Sequence, residues 1–207
     1  MTKPRLPKKF PNKETAGALL LANMRRNIKI STKDEKLILA ASILLSVPKK
    51  EFFHHEGQVN EYSAFVLSGC MRSYFTDTNG FEHTVQFAVE DWWITDMMSY
   101  IKQEPGKLNI DALEPTTLLL ISRRDQLQLY DQCPTVEKYF RILLEKSLAS
   151  QQLRIIENLS LPATERYLNF IQRYPQLTNR ISQIQIASYL GITPEFLSKI
   201  RRQLAGK

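Results

Sequence analysis

Hydrophobic residues recur at helical spacing near both ends of the chain, whereas the middle of the chain consists of short runs rich in β-branched and aromatic residues. The first helical patterns cover residues 14–28 and 31–45, and Ser31 with Asp34 is close to a capping box at the start of the second. From 49 to 122 the pattern predicts an all-β segment, with runs at 64–67, 72–75, 84–88 and 116–121. Thr78-Asn79-Gly80 predicts a hairpin with a primed turn, because Asn-Gly tolerates positive φ. The repeated short strands predict a small barrel or jelly roll.

A second helical region begins after Pro134, and residues 135–159 are long enough for one helix of roughly 35 to 40 Å. Its apolar positions cover more than one face, so that one face could pack on the β-rich segment and another could contact a partner helix. The candidate dimerisation residues on this helix are Phe140, Leu144, Leu148 and Ile155. The alternative is a long helix that packs wholly within the monomer.

Residues 183–202 have the pattern of two short helices joined by a sharp turn. Gly191 supplies the positive φ that ends the first helix, after an apolar face formed by Ile184, Ala187 and Leu190. Thr193 and Pro194 suit the N-cap and the first position of the second helix. Its inward stripe is predicted to be Leu197, Ile200 and Leu204. This arrangement predicts a helix-turn-helix.

The outward face of that second helix combines a carboxylate, a hydroxyl and two cations, which are groups that hydrogen-bond to base edges. The candidate base-reading residues are Thr193, Pro194, Glu195, Ser198, Lys199 and Arg202. Candidate phosphate contacts are Thr178, Arg180, Gln183, Arg201 and Lys207, since helix N-termini and cations hold phosphates without reading sequence. The alternative is an ordinary pair of antiparallel helices with a solvated charged face.

Charge is concentrated where the helix-turn-helix lies. The chain of 207 residues has a net charge of +7, and residues 160–207 carry seven Lys and Arg against two Asp and Glu. Residues 1–13 add five basic residues and no acid, so the body between the two ends is slightly acidic. Such asymmetry favours a polyanionic partner. The basic N-terminal residues, interspersed with proline, are interpreted as a flexible tail and are assigned no function.

Length and composition favour a soluble protein with a proper core. The longest mostly apolar stretch, 37–47, is too short to span a bilayer, and the N-terminus lacks the apolar core of a signal peptide, so we expect a cytoplasmic protein without a membrane partner. Two cysteines, Cys70 and Cys133, are too few for a disulfide framework. The expected organisation is a flexible tail (1–13), a sensor domain (14–133), a long dimerisation helix (134–159) and a DNA-binding domain (160–207).

This order of elements resembles the Crp/Fnr family, the cyclic-AMP receptor protein and its relatives. The resemblance covers nearly the whole chain and is carried by Gln86-Phe87 to Trp92-Trp93, by the run 165–170 and by the segment 186–195, which are similar to Crp-type regulators of the Bacteroidetes. It implies an α+β fold: an N-terminal cyclic-nucleotide-binding-like β-roll (a double-stranded β-helix or jelly roll) with flanking helices, a long dimerisation helix and a C-terminal helix-turn-helix. The winged-helix-like C-terminal domain is expected to have a missing or truncated wing.

The resemblance also implies a function, namely a transcription regulator that acts as a homodimer on double-stranded DNA and contacts RNA polymerase. The family's base-reading positions match Pro194, Glu195 and Lys199 here. Pro194 stands where the family has an arginine, so the half-site sequence is expected to differ from the usual one.

The effector site departs from the family's pattern. Cyclic-nucleotide binders of this fold use a Gly-Glu pair for the ribose and an arginine for the cyclic phosphate. The resemblance places the corresponding positions at 89–93 and 105–109, and neither segment contains the family's residues. Lys107 could replace a charge but not the bidentate guanidinium fork. We therefore expect no cofactor and no ordinary cyclic-AMP binding. The candidate pocket residues are Glu90, Asp91, Trp92 and Lys107, although paired tryptophans in a β-rich segment also suit a core.

Enzymatic and metal-binding functions find little support. His54 and His55 are adjacent, and adjacent residues of a strand point to opposite faces, so they cannot both ligate one metal. No phosphate loop or nucleophile motif appears. We expect a protein that is not an enzyme and has no metal site. The alternative function is a small-molecule-binding or protein-interaction module of cupin-like β-roll type, without specific DNA readout.

Overall fold

The computed structural model describes residues 12–206. Within this range the elements follow the order α1 (Lys13–Arg25), α2 (Thr32–Ala41), β1 (Ser42–Val47), β2 (Phe52–His54), β3 (Tyr62–Ser68), β4 (Met71–Thr76), β5 (Glu82–Ala88), β6 (Trp93–Ile94), α3 (Met97–Lys102), β7 (Asn109–Ala112), β8 (Thr116–Ser122), α4 (Arg123–Gln132), α5 (Pro134–Ser160), α6 (Ala163–Arg173), α7 (Gln183–Leu190) and α8 (Pro194–Ala205). The α+β class is confirmed. The single long helix predicted for 135–159 is confirmed as α5.

The chain divides into two compact units. The first, here called the β unit, contains residues 12–75 and 86–144. The second, here called the helical unit, contains residues 76–85 and 145–206. The tip of the β4–β5 hairpin therefore belongs to the same unit as the C-terminal helices.

Two four-stranded antiparallel sheets form the β-roll, with strand orders β1-β8-β3-β6 and β2-β7-β4-β5. Strand β3 is buried on both faces because its alternate side chains enter two hydrophobic clusters. Phe65 and Leu67 belong to a cluster with residues of α1, α4 and α5. Ala64 and Val66 belong to a second cluster with residues of β4 and β7. The jelly-roll prediction is confirmed.

The predicted second helix over 31–45 is wrong at its C-terminal end. Helix α2 has the expected capping box at Ser31 and Asp34, but it ends at Ala41, where the backbone of Ser42 becomes extended. The apolar run that follows forms β1, which pairs with β8 from Ser42 opposite Ile121 to Val47 opposite Thr116. A short apolar run fits either a buried helix or a strand, and only the pairing with β8 decides between them.

The β4–β5 hairpin is confirmed, but its turn is not of the predicted primed type. Gly80 has φ 83°, whereas Asn79 is not among the residues with positive φ. The Asp77 N–H donates to the Phe81 carbonyl (2.9 Å), and the Gly80 N–H donates to the Asp77 carbonyl (3.0 Å). The Asp77 carboxylate also accepts from the amides of Asn79 and Phe81. This is a three-residue loop with a left-handed glycine, another common hairpin geometry.

The segment 49–122 is not all-β, because α3 interrupts it. Asp96 caps this short helix by accepting a hydrogen bond from the Ser99 amide (3.2 Å), and Gln103 ends it in the left-handed conformation at φ 55°. The sequence pattern of β-rich runs did not reveal a helix of this length.

Candidate nucleic-acid interface

The turn between α7 and α8 has the predicted geometry. Ser182 caps α7 in a capping box with Gln185. Gly191 ends α7 in the left-handed conformation (φ 65°), its N–H donates to the Ser188 carbonyl, and the next amide, of Ile192, donates to the Ala187 carbonyl. This pair of hydrogen bonds is a Schellman motif, which needs a residue that adopts positive φ without strain.

Helix α8 begins as the sequence predicts. The Thr193 hydroxyl accepts a hydrogen bond from the Phe196 amide (3.2 Å), and Pro194 occupies the first turn, where its missing N–H costs nothing. Leu197 and Ile200 are buried, at 0% and 1% exposure. The buried face of α8 thus fixes which of its side chains face solvent.

The helical unit has its own core, to which α6, α7, α8 and the α6–α7 connection contribute. Its buried hydrophobic residues are Tyr167, Phe170, Leu177, Ile181, Ile186, Ala187, Leu190, Leu197 and Ile200. Ile184 was predicted to lie on the inward face of α7, and this is wrong, because its side chain is 67% exposed. Ile186 is buried instead, so the inward face of α7 begins two residues later.

The predicted outward face of α8 is confirmed as exposed surface. Glu195, Ser198, Lys199 and Arg202 are all exposed, and Pro194 at its start is half-buried. A carboxylate, a hydroxyl and two cations on one exposed helix face offer both acceptors and donors to a base edge. Their contact with bases stays a prediction.

The residues predicted to contact phosphates differ in how exposed they are. Arg201 is exposed, and Arg180 and Thr178 are half-buried, the Thr178 hydroxyl donating to the Pro175 carbonyl (3.0 Å). The side-chain oxygen of Gln183 is buried without a hydrogen-bond partner among the described residues. Lys207 lies outside the described residues, as do residues 1–11 of the basic tail.

Two arginines that sequence reasoning missed fix the C-terminal end of α7. Arg154 of α5 donates to the Tyr189 carbonyl (2.8 Å), and Arg166 of α6 donates to the Leu190 carbonyl (2.6 Å). The last carbonyls of a helix lack partners within it, and a cation there also suits the helix dipole. No local signal could have revealed these contacts, since the partners lie 35 and 24 residues apart.

The predicted dimerisation residues divide into two groups. Phe140 is a wrong prediction, because it is only 7% exposed and packs edge-on against Trp93, Tyr130 and Tyr139 in the core of the β unit. The remaining three, Leu144, Leu148 and Ile155, are 47%, 60% and 57% exposed. They share one helix face with Leu159, which is 84% exposed.

The structure does not bring the candidate effector residues together around one cavity. Glu90 accepts from the Gly69 amide (2.9 Å), and the Asp91 carboxylate pairs with Arg26 (2.9 Å) in the turn between β5 and β6. Trp92 is half-buried and packs against the second hydrophobic cluster of the β-roll, as the core interpretation expects. Lys107 lies in the loop before β7, where its backbone amide donates a hydrogen bond to the carboxylate of Asp96.

Asp96 fills the loop that precedes β7. It is 2% exposed, and one of its carboxylate oxygens accepts from the amides of Lys107 and Leu108, both at 3.1 Å. A side chain at Gly106 would meet that same oxygen at 2.4 Å and the Nε2 atom of His54 at 3.1 Å. The loop donors that could hold an anion are thus occupied by a carboxylate of the chain itself.

His54 lies buried beside this loop. Its exposure is 5%, and its Nε2 atom has no hydrogen-bond partner among the described residues. Burial lowers the pKa of His54, and the negative charge of Asp96 opposes this only in part. His54 is therefore a neutral core histidine at neutral pH.

A buried ion pair on β4 and β7 also escaped the sequence analysis. The Arg72 guanidinium donates to both carboxylate oxygens of Asp111, at 2.9 and 3.1 Å, and lies 4.0 Å from the ring centroid of Tyr74. Arg72 and Asp111 are 7% and 8% exposed. Alternation on neighbouring strands brings the pair together, but no local signal marked which charged residues would be internal.

Two further findings concern the described residues. They contain no group of three or more His, Cys, Asp or Glu side chains that could hold a metal ion. None of their helices is long and apolar enough to cross a membrane.

The chain is similar to known proteins in sequence and in fold. Residues 44–133 match the family model of the cyclic nucleotide-binding domain. FixK2 from Bradyrhizobium japonicum is 20% identical, with 80% of this chain and 85% of that chain covered and a TM-score of 0.71. The c-di-GMP responsive global regulator CLP from Xanthomonas campestris is 15% identical over 85% and 92%, with a TM-score of 0.71.

A putative Crp/Fnr transcriptional regulator from Eubacterium rectale is 20% identical over 85% of this chain and 84% of that chain, with a TM-score of 0.66. No curated protein sequence matches this chain significantly. The fold expected from the resemblance is confirmed: residues 44–133 match the cyclic nucleotide-binding domain, and the chain is similar in fold to FixK2, to CLP and to the Crp/Fnr protein from Eubacterium rectale.

Proposed function

We propose that this protein is a sequence-specific DNA-binding transcription regulator that acts as a homodimer. The observation that carries the proposal is α8, a helix with both its start and its buried face fixed and with Glu195, Lys199 and Arg202 exposed on the opposite side. The comparison supports it, since the Eubacterium rectale protein is named a transcriptional regulator and CLP a regulator of virulence gene expression.

The chemistry of α8 suits the major groove. Lys199 and Arg202 donate to guanine acceptors, Glu195 accepts from a cytosine amino group, and Ser198 can do either. Thr193 and Pro194 stand at the end of the helix that enters the groove first. Contacts from Thr178, Arg180, Gln183 and Arg201 to phosphates would fix the register without reading sequence.

The exposed apolar stripe of α5 supports the homodimer. Leu144, Leu148, Ile155 and Leu159 lie within one face of the helix and are each about half exposed or more. One helix-turn-helix buries too little surface for high specificity, and two copies related by a twofold axis read two half-sites. A second α5 stripe is the partner that this face matches. We also propose RNA polymerase as a further partner, as the resemblance implies.

We propose no cyclic-AMP cofactor. The carboxylate of Asp96 already accepts hydrogen bonds from the backbone amides of Lys107 and Leu108, and an incoming phosphate would lie against that carboxylate. Lys107 is exposed, and its ammonium group supplies a point charge and not the guanidinium fork of an arginine. Equilibrium dialysis with labelled cyclic AMP is expected to show no saturable binding, and saturable binding would contradict this part of the proposal.

The decisive experiment is the selection of bound duplexes from a random DNA pool. The wild type is expected to enrich a palindrome with half-sites about one helical turn apart. The double variant Glu195→Ala, Lys199→Ala should lose this enrichment, whereas Arg124→Ala, an exposed arginine of α4, should retain it.

Single variants then separate base contacts from phosphate contacts. Lys199→Ala should change the preferred sequence, and Arg201→Ala should weaken binding to all duplexes nearly equally and flatten the salt dependence. If the wild type enriches no sequence and binds duplexes without steep salt dependence, the protein is an interaction module instead of a DNA reader.

A further inference from the structure

Phe196 is a large apolar side chain that α8 leaves in contact with solvent. It is 46% exposed, whereas Leu197 and Ile200 of the same helix are buried. Within Pro194–Ala205, all of which the structure describes, no other large hydrophobic side chain is exposed. A single exposed apolar residue is common on protein surfaces. Its meaning therefore depends on where it stands on the helix.

Phe196 stands in the first turn of α8. Its amide donates to the Thr193 hydroxyl (3.2 Å), so its backbone is tied to the cap of the helix, and Pro194 restricts the same turn. The Cα–Cβ bonds of an α-helix tilt toward its N-terminus, so the Phe196 ring leans toward the end that contains Thr193 and Pro194. In a helix-turn-helix, the N-terminal residues of the second helix contact base edges. On the proposed function, the ring therefore lies at the end of α8 that enters the major groove.

The exposed side chains next to Phe196 are polar. Glu195 precedes it, and Lys199 follows three residues later, which places Lys199 beside Phe196 on the helix surface. These groups recognise donors and acceptors, but they offer nothing apolar to a base edge. Thymine carries a 5-methyl group in the major groove, and an apolar contact is what recognises that group. Phe196 supplies the contact that its polar neighbours lack.

We infer that Phe196 is a further specificity-determining residue, whose ring packs against the 5-methyl group of one thymine in each half-site. The inference rests on the proposed function, because it requires α8 to lie in the major groove. It adds a base that the hydrogen-bonding residues do not read. The alternatives are a contact with a deoxyribose of the DNA backbone and a ring that only shields the edge of the helical unit's core.

Replacing thymine by deoxyuridine tests this contact, because deoxyuridine lacks only the methyl group and keeps the same hydrogen-bonding groups. Each thymine of a duplex obtained by selection is replaced in turn, at the symmetric positions of the half-sites, and the affinity of the full chain is measured. At one position the wild type should lose about fourfold in affinity per half-site, the effect of losing one buried methyl group. Replacement in both half-sites should cost roughly 16-fold, since distant sites contribute independently.

Variants of Phe196 assign the methyl effect to this side chain. Phe196→Ala should bind the thymine duplex and the deoxyuridine duplex equally well, and its own selection should keep the palindrome but lose the preference for thymine at that position. Because part of the ring is covered, circular dichroism is used to establish that each variant is folded. Phe196→Gln keeps a longer side chain without an apolar ring and should give the same result. Leu168→Ala, at a leucine of α6 that is 45% exposed, is the matched control and should keep the whole methyl effect.

The inference would be overturned if the wild type bound every deoxyuridine duplex as tightly as the thymine duplex. It would also be overturned if folded Phe196→Ala or Phe196→Gln kept the methyl effect. In that case an equal loss of affinity on all duplexes would indicate a contact with deoxyribose. If the wild type enriches no sequence from the random pool, the proposed function itself fails. Enrichment of a palindrome without any methyl effect leaves the proposed function standing and removes only the role of Phe196.

Discussion

Removing one partner of the Arg72–Asp111 pair should strongly destabilise the β unit. The two side chains form two hydrogen bonds at 2.9 and 3.1 Å and are almost completely buried. Asp111→Asn keeps the shape of the side chain but leaves the Arg72 guanidinium buried without a counter-charge. The cation–π contact with Tyr74, at 4.0 Å, cannot replace a carboxylate.

The expected loss is large in comparison with the total stability. Breaking a buried pair on one side costs about 3–5 kcal/mol, whereas replacing both partners by apolar residues of similar volume is often close to neutral. A domain is stable by about 5–15 kcal/mol, so Asp111→Asn should lower the unfolding temperature by about 10 °C. The double variant Arg72→Met, Asp111→Leu should lie within about 1 kcal/mol of the wild type.

Tryptophan fluorescence reports on this unit selectively, because the only two tryptophans of the chain, Trp92 and Trp93, lie in the β unit. Trp93 packs against Phe65 and Phe140 and donates a hydrogen bond to the Tyr139 hydroxyl, so its emission should change on unfolding. Urea unfolding of the two single variants and the double variant gives the coupling energy of the pair.

The reasoning would be refuted by single variants that each cost less than about 1 kcal/mol, the value typical of exposed ion pairs. It would also be refuted if the cost of Asp111→Asn fell steeply with added salt, since buried charges are poorly screened. A double variant as unstable as the single variants would mean that packing, and not the unpaired charge, causes the loss.

Three other substitutions have defined outcomes. Gly191→Ala should cost the helical unit about 1 kcal/mol through strain at φ 65° alone, because no atom lies within 4 Å of the added methyl group; circular dichroism during urea unfolding measures this, and an unchanged stability would refute it. Leu148→Asp should convert the proposed dimer to a monomer in sedimentation velocity, whereas Ser150→Asp on the opposite side of α5 should not; a variant that still sediments as a dimer would exclude the stripe as the interface. For His54 the folded state binds the proton more weakly than the unfolded state, because burial lowers its pKa from the ordinary value of 6.5. The unfolding free energy should therefore fall as the pH drops below about 6.5. His54→Gln should remove this slope in tryptophan-monitored unfolding between about pH 6.5 and 5, and an equal slope in the variant would exclude His54 as its source.

Local signals made the helix-turn-helix predictable. Gly191, Thr193 and Pro194 each restrict the backbone at their own position, so the end of α7 and the start of α8 follow from neighbouring residues alone. The same holds for the capping box at Ser31. By contrast, the helix predicted to reach Leu45 ends at Ala41, because pairing with a strand far along the chain overrides local helical spacing.

Side-chain partners were not predictable where distant segments meet. Ser188 accepts a hydrogen bond from the Thr84 amide 104 residues away, and Arg72 and Asp111 are 39 residues apart. Alternation identifies which face of a strand is internal, but it does not say which charged residue of that face finds a counter-charge. Phe140 shows the same limit on a helix, since an apolar residue on α5 suits a core and a dimer interface equally well until its neighbours are known.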